Sequence, residues 1–138
     1  MKFGKTLSDT DTGKNGTHQA GIVIPKSNGE LLNFFPALEN NPYKNPDCWI
    51  TCEDPEGEKW KMRYIWYNGK LHGRSTRNEY RLTHSTSFMK LWNAETGDEI
   101  VFESTSHPLF YKIKIIKNNN GVDNTNDVII LRGWRKIY

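Results

Sequence analysis

Apolar and polar residues alternate along much of the chain in short runs that end at proline, glycine or asparagine. Alternation with a period of two is typical of a β-strand with one buried face, because successive side chains point to opposite sides of the sheet. The runs predict seven strands, at residues 19–24, 48–52, 60–67, 79–83, 99–103, 109–117 and 127–135. In the sixth run, Tyr111, Ile113 and Ile115 form the more apolar pleat face, which we expect to face the core.

Helical spacing of apolar residues is confined to two short segments. Residues 30–38 are interrupted by Pro36, so they can form one or two turns only. Residues 87–93 predict a second short helix. Asn68-Gly69, between two strand runs, is typical of a tight hairpin turn. The pattern favours a mainly β protein, a barrel or sandwich of seven strands with two short helices.

The chain has 138 residues, enough for one domain, which we place at residues 1–138. Its apolar runs are too short to cross a bilayer, and its first residues lack the apolar stretch of a secretory signal. We therefore expect a cytoplasmic protein with no membrane partner. Cys48 and Cys52 are too few for a disulfide framework and lack a second ligand pair, so ordinary strand cysteines are favoured over a zinc site.

The net charge of +3 conceals two blocks of opposite sign. Residues 30–58 contain seven acids and one lysine, whereas residues 59–84 contain seven bases and one acid, Glu79. A block of one sign favours an anionic partner such as a polyphosphate backbone. The alternative is that the two blocks neutralise each other on the folded surface.

Motifs of several nuclease and hydrolase classes are missing from the sequence. A PD-(D/E)xK nuclease places a carboxylate two residues before a lysine, and no lysine of this chain has one. No histidine is followed two residues later by lysine, as a phospholipase-D-type nuclease requires, and there is no G-x-S-x-G or Walker-type loop. We therefore name no catalytic residue, metal ligand or cofactor, and enzymatic activity stays uncertain.

Two polar segments have the composition of DNA-contacting arms. Residues 7–21 offer mostly short hydrogen-bonding side chains, although a flexible terminal tail has the same composition. Residues 70–81 combine arginines with Asn78 and Glu79, and all three residue types can pair with base edges. A protein that binds phosphates alone would not need Glu79, which repels the backbone. The alternative for Glu79 is an ion pair with Arg77 or Arg81.

The same segments carry a resemblance to a known family. The residues concerned are Leu7-Ser8, Asp11-Thr12-Gly13, Gly16-x-His18-Gln19-x-Gly21, Ile24-Pro25, Leu32-x-x-Phe35-Pro36, Tyr67-Asn68 and Gly73-Arg74-x-Thr76-Arg77-Asn78-Glu79-x-Arg81. Over about residues 5–103, they closely resemble the N-terminal effector-binding domain of EcoRII-type restriction endonucleases. Residues 96–102 resemble a strand entry of plant B3 DNA-binding domains, which share its fold.

The resemblance implies a B3-like DNA-binding pseudobarrel, an open barrel of seven strands with short helices at its ends. It also implies an N-arm and a C-arm that grip the major groove and read a short site such as CCWGG, where W is A or T. The implied N-arm contacts are Ser8, Asp11, Lys14, Asn15, Thr17 and His18. The implied C-arm contacts are Arg74, Arg77, Asn78, Glu79 and Arg81, to which we add Lys70 as a phosphate contact.

Two departures from the family pattern bear on the base preference. The C-arm is one residue longer near Ser75, and Tyr80 stands where the family shows a basic residue. We expect double-stranded DNA as the partner, together with a nuclease domain or subunit that this chain does not contain. The alternatives are a nonspecific or single-stranded nucleic-acid-binding barrel and an interaction barrel that binds no DNA.

Overall fold

A computed structural model of the chain describes residues 1–13, 21–118 and 133–138. Strands dominate it, and the helices are short. The strands are β1 (Lys2–Thr6), β2 (Ile22–Ile24), β3 (Asp47–Glu53), β4 (Lys59–Tyr67), β5 (Glu79–Thr83), β6 (Glu99–Ser104), β7 (Phe110–Ile116) and β8 (Trp134–Ile137). The α-helices are α1 (Asp9–Thr12), α2 (Gly29–Phe34) and α3 (Thr86–Leu91), and a 3₁₀ turn covers Gly69–His72.

The eight strands form one curled sheet in the order β2-β5-β4-β3-β7-β6-β1-β8. Neighbouring strands run antiparallel except β3 and β7, which are parallel. The sheet is an open barrel, because its edge strands β2 and β8 are not joined by a backbone ladder. A side chain connects them instead: the indole of Trp134 on β8 donates a hydrogen bond to the carbonyl of Val23 on β2, at 2.9 Å. This bond ties together residues 111 positions apart in sequence.

The mainly β fold that the sequence pattern predicts and the open barrel that the family resemblance implies are both confirmed, with one strand and one helix too few in the described residues. The last predicted strand, 127–135, coincides with β8 only at Trp134 and Arg135. The missed strand is β1, whose five residues contain a single large apolar side chain, Phe3. Pairing with β6 and β8 on its two sides makes this segment a strand, and the local pattern carries no sign of that pairing. The missed helix, α1, has only four residues. Residues 19–20 and 127–132 of the predicted strands lie outside the described residues.

The predicted tight turn at Asn68-Gly69 is wrong. A type I′ hairpin turn needs positive φ at both central residues, whereas Asn68 has φ of −104°. Eleven residues, 68–78, connect β4 to β5. The predicted pleat of β7 is confirmed, since Tyr111 and Ile113 are buried and the intervening lysines are exposed.

The core is organised around the ring of Phe35, which directly follows α2. Five other aromatic rings lie with their centroids 5.1 to 6.2 Å from it. They come from α2, β4, β6, β7 and β8, and are Phe34, Tyr64, Phe102, Tyr111 and Trp134. The buried hydroxyl of Tyr111 donates a hydrogen bond to the carbonyl of Phe34 at 2.7 Å. One phenylalanine thus contacts both halves of the curled sheet.

A second fixed point is the carboxylate of Asp54, in the turn between β3 and β4. It accepts hydrogen bonds from the indoles of Trp60 and Trp92, at 3.0 and 3.2 Å, and from the backbone amides of Glu56 and Glu58. Burial raises the pKa of Asp54, but these hydrogen bonds outweigh burial and hold the pKa below its ordinary value. The turn is thereby attached to Trp92 at the end of α3.

We expect Phe35→Leu to lower the free energy of unfolding by about 1–3 kcal/mol, because leucine leaves part of the space between the surrounding rings unfilled. Urea unfolding followed by tryptophan fluorescence measures this. Leu91→Ala is the control, since Leu91 is 60% exposed and its loss should cost less than about 0.5 kcal/mol. Equal effects of the two substitutions would contradict the central place of Phe35.

We expect Asp54→Ala to lower the free energy of unfolding at neutral pH by about 2–4 kcal/mol, because two indole donors and two backbone amides lose their acceptor. The folded pKa of Asp54 lies below its unfolded value, so its stabilisation is complete above the unfolded pKa and is lost as the pH falls through the folded pKa. The difference from the unchanged protein should therefore shrink in urea titrations below about pH 4. The control is Glu56→Ala, which removes an exposed carboxylate of the same turn and should show neither effect.

Candidate nucleic-acid interface

The two polar segments singled out by the sequence join the sheet at opposite ends of one strand pair. Strands β2 and β5 are antiparallel, with Ile22 opposite Leu82 and Ile24 opposite Tyr80. The segment that ends at Gly21 therefore reaches the sheet beside the last residues of β5, whereas the 68–78 loop leads into its first residue. The four residue steps along β5 separate these points by roughly 13 Å.

Between these points lies an outward-facing patch of the sheet, which we call the inter-arm face. Leu82 of β5 is buried, so the residues that alternate with it point away from the core. The register of β2, β5 and β4 places Val23 beside Arg81 and Arg81 beside Ile65, with Glu79 beside Tyr67. The inter-arm face consists of these five residues: Val23, Ile65, Tyr67, Glu79 and Arg81. Ile65 is buried beneath its neighbours, and the other four are partly exposed.

Glu79 holds two arginines at this face. Its carboxylate is 2.9 Å from Nε of Arg77 and 3.2 Å from Nε of Arg81. The guanidinium of Arg77 also lies over the ring of Tyr67, 4.4 Å from the ring centroid, and Arg81 donates to the carbonyl of Gly21. The ion pairs that the sequence left open as an alternative are therefore present. They bring two guanidinium groups to one carboxylate, and so fix the position of all three charges.

Asn78 is held in place from two sides. Its side-chain oxygen accepts a hydrogen bond from the indole of Trp66 at 3.0 Å, and its backbone carbonyl accepts one from Lys26 at 2.9 Å. Trp66 is itself fixed, because its ring stacks on that of Tyr80 at a centroid distance of 5.1 Å and an interplanar angle of 9°. The amide of Asn78 thus has a defined orientation toward Trp66 and Tyr80, which lie on the side of the sheet opposite to the inter-arm face.

A cleft of about 560 Å³ opens next to these side chains. One wall is the stretch from Val23 to Ser27, and the other is the stretch from Thr76 to Glu79. The cleft therefore lies between the end of β2 and the point where the 68–78 loop meets β5. Lys26 and Trp66 are the site residues that the sequence reasoning missed, since nothing in their local pattern shows that they meet Asn78.

The 68–78 loop is a compact structure of its own. Its backbone is closed by hydrogen bonds from Lys70 to the carbonyl of Arg77 and from Arg74 to the carbonyl of Gly69. Gly69 packs so closely on Ser75 that a Cβ would lie 2.2 Å from the serine hydroxyl. Lys70 is exposed.

Arg74, one of the predicted DNA contacts of the arm, bonds two groups of the protein through its guanidinium. Its Nε donates to the carbonyl of Pro42 at 3.0 Å, and its Nη2 donates to the side-chain oxygen of Asn68. Both acceptors belong to the protein. Without DNA, the guanidinium of Arg74 therefore connects the 68–78 loop to the segment before β3.

Ser8 and Asp11, two predicted N-arm contacts, form the N-terminal cap of α1. The hydroxyl of Ser8 accepts from the amide of Asp11, and the carboxylate of Asp11 accepts from the amide of Ser8. Asp11 is 5% exposed and also pairs with Lys5 of β1. Its carboxylate thus points into the protein and shapes the start of the segment. The other predicted N-arm contacts, Lys14, Asn15, Thr17 and His18, lie outside the described residues.

Within residues 1–13, 21–118 and 133–138, no group of three or more His, Cys, Asp or Glu side chains is placed to hold a metal ion. None of the helices in those ranges is long and apolar enough to cross a bilayer. The thiol of Cys52 is buried, and burial raises its pKa to about 12, so it is a protonated core side chain at neutral pH.

Comparison with protein families gives a match over most of the chain. The model of the family described as "Restriction endonuclease EcoRII, N-terminal" matches residues 1–128. Among curated proteins, the type II restriction enzyme EcoRII of Escherichia coli is 37% identical over 86 residues, which are 57% of this chain and 19% of that protein.

Two plant proteins are also similar to the chain. The AP2/ERF and B3 domain-containing transcription repressor TEM1 of Arabidopsis thaliana is 32% identical over 111 residues, which are 77% of this chain and 28% of that protein. The chain thus spans less than a third of the length of either curated relative. Among solved structures, the Arabidopsis FUS3-DNA complex superposes with a TM-score of 0.61 at 21% identity, covering 84% of this chain and 96% of that one. The fold is therefore that of a plant B3 domain.

Proposed function

The chain belongs to the family of EcoRII N-terminal domains, and from this membership we propose that it is a sequence-specific binding domain for double-stranded DNA. One observation of the structure carries the proposal: Glu79 pairs with Arg77 and Arg81 at the inter-arm face, between two polar segments, and the neighbouring Asn78 lines the adjacent cleft. Two of these side chains are cations, and the other two can pair with bases.

The chemistry of these residues fits the reading of base edges in the major groove. An arginine donates two hydrogen bonds to O6 and N7 of guanine, and a glutamate accepts one from N4 of cytosine. A carboxylate between two guanidinium groups can thus read a C·G pair, while the arginines offset its repulsion from the phosphates. A G·C-containing site such as CCWGG suits this set, and we propose a site of that kind.

The remaining contacts divide between phosphate and protein. Lys70 is exposed on the 68–78 loop and suits a phosphate contact, which positions the protein without reading sequence. Ser8 and Asp11 instead shape the segment that precedes Lys14, Asn15, Thr17 and His18, and we keep those four as proposed contacts.

We also propose that the domain acts together with a nuclease domain or subunit. EcoRII of Escherichia coli is named a type II restriction enzyme, and the similarity covers only 19% of its length. A recognition domain that lacks the PD-(D/E)xK and phospholipase-D-type nuclease motifs would direct a catalytic partner to DNA. A cytoplasmic location, where such a partner would meet DNA, belongs to the same proposal.

Selection of bound oligonucleotides from a random duplex pool tests the main proposal. We expect one short motif to be enriched, and an excess of single-stranded DNA of the same sequence to compete poorly. Enrichment of no motif would indicate nonspecific binding, and equal competition by single strands would favour the single-stranded alternative. Failure to retain any duplex at low salt would leave an interaction barrel that does not bind DNA.

We expect Glu79→Ala to reduce discrimination between the selected site and random duplex by about 1–3 kcal/mol, with nonspecific affinity unchanged or higher. The reason is that the substitution removes both a base acceptor and a charge that repels phosphates. Fluorescence anisotropy with the two duplexes measures the ratio, and Glu56→Ala serves as a remote carboxylate control. Equal losses on both duplexes would remove Glu79 from base reading.

We expect Lys70→Ala to weaken all duplexes similarly and to reduce the slope of log affinity against log salt by about 1, because one phosphate contact is lost. The matched control is Lys59→Ala, an exposed lysine at the opposite end of β4 from the 68–78 loop. An unchanged slope in Lys70→Ala, or an equal change in Lys59→Ala, would contradict a phosphate contact at Lys70.

A further inference from the structure

A buried amide fastens a second loop to the side of the 68–78 loop. Asn68 is fully buried, and its side-chain nitrogen donates to the side-chain oxygen of Asn40 and to the carbonyl of Asn41, each at 2.8 Å. Its backbone amide donates to the side chain of Asn45 at 3.2 Å. One residue thus binds residues 40–45, which we call the 40–45 loop, at both ends.

Two further residues of the 68–78 loop, Arg74 and His72, also contact the 40–45 loop. Arg74 donates to the carbonyl of Pro42 and to the side chain of Asn68, and a ring nitrogen of His72 lies 2.8 Å from the side-chain oxygen of Asn40. The two loops are therefore joined through several hydrogen bonds, one partner of which is completely buried. They should move as one body.

The 40–45 loop, held in this way, exposes two side chains to solvent. Tyr43 is 87% exposed, and its backbone amide donates to the side chain of Asn41, which shapes the turn below it. Lys44 is exposed beside it. Lys44 is two residues from Pro42, so its Cα lies at most about 7.6 Å from the Cα of a residue that Arg74 contacts.

The charge of the loop differs from that of its surroundings. Residues 30–58 contain seven acids against one base, and that base is Lys44. Residues 40–46, the part that contacts the 68–78 loop, contain no acid. Two acids, Glu39 and Asp47, flank the loop and share a surface pocket with Lys44, and Asp47 is paired with Arg63. Toward the 68–78 loop, Lys44 is accompanied by His72 and by the exposed Lys70. This favours a phosphate backbone over a basic or apolar protein surface.

We propose that the 40–45 loop is a third DNA-contacting element, in which Lys44 and Tyr43 bind the sugar-phosphate backbone outside the base pairs read at the inter-arm face. The proposal rests on the proposed function. Arg74 is then a positioning residue: it holds the 40–45 loop against the arm and does not itself read bases. Neither Tyr43 nor Lys44 carries sequence information, so their contribution depends on flanking DNA being present.

The test compares duplexes that carry the selected site with short or long flanks. The double variant Tyr43→Ala/Lys44→Ala should bind the long duplex about three- to ten-fold more weakly, with a salt slope reduced by about 1, because a phosphate contact is lost. Binding to a duplex with about two flanking base pairs should change little, since it lacks those phosphates. The matched control, Lys59→Ala/Tyr138→Ala, removes an exposed lysine and a tyrosine that is 86% exposed elsewhere on the protein.

Arg74→Ala separates positioning from direct contact. We expect it to weaken the long duplex to the same extent as the double variant, and the triple combination to be no worse than either, because all three changes remove one interaction. Retention of the 40–45 loop in its wild-type position, seen as unchanged amide exchange in Arg74→Ala, would overturn the positioning role. So would additive losses or a loss of specificity.

Failure of this inference is distinguishable from failure of the proposed function. If the unchanged protein binds no duplex, the proposed function is wrong. If it selects a site but Tyr43→Ala/Lys44→Ala binds short and long duplexes as the unchanged protein does, only the third contact is wrong. A loss of equal size on both duplexes would also overturn the inference, because it would place these residues at the recognition site.

Discussion

The packing of aromatic rings around Phe35 is the constraint on which the rest of the structure depends. A sheet of eight strands leaves two edges, and here the rings of β4, β6, β7 and β8 meet one side chain that projects after α2. Burying those rings together requires the sheet to curl, because a flat sheet could not bring its opposite ends to a common point. The curl brings β8 to β2, where the indole of Trp134 bonds the carbonyl of Val23.

The candidate interface follows from this curvature and from the register of three strands. Pairing of β2 with β5 sets the distance between the N-terminal segment and the 68–78 loop, while pairing of β5 with β4 puts Glu79 beside Tyr67. The charged groups between the two arms are fixed before any ligand arrives, because Glu79 bonds Arg77 and Arg81. The uncharged amide of Asn78 is oriented by Trp66. A site organised in this way loses less side-chain freedom on binding than one built from mobile arginines.

The residues of the two charge blocks make several kinds of contact in the folded protein. Arg63 pairs with Asp47 across β4 and β3, so one basic residue is neutralised by the acidic block, as the alternative interpretation of the charges expected. Arg77 and Arg81 instead pair with Glu79, the acid of their own block. The carboxylate of Asp54 accepts hydrogen bonds from two tryptophans. Counting charges therefore located the basic surface, but it could not say which groups are available to an anionic partner.

The sequence by itself determined the β class, seven of the eight strands, two of the helices and the family, because strand periodicity, breaker residues and short motifs are local properties. It also placed Arg77, Asn78, Glu79 and Arg81 in one candidate site, since they are neighbours in the chain. Only the tertiary structure decided that β1 is a strand, that Arg74 turns toward Pro42, and that Asp11 is buried against Lys5 of β1. Each of these depends on partners that lie on other elements, and spacing along a single segment carries no record of such partners. Asn40 and Asn68, which bond each other, are likewise 28 positions apart in sequence.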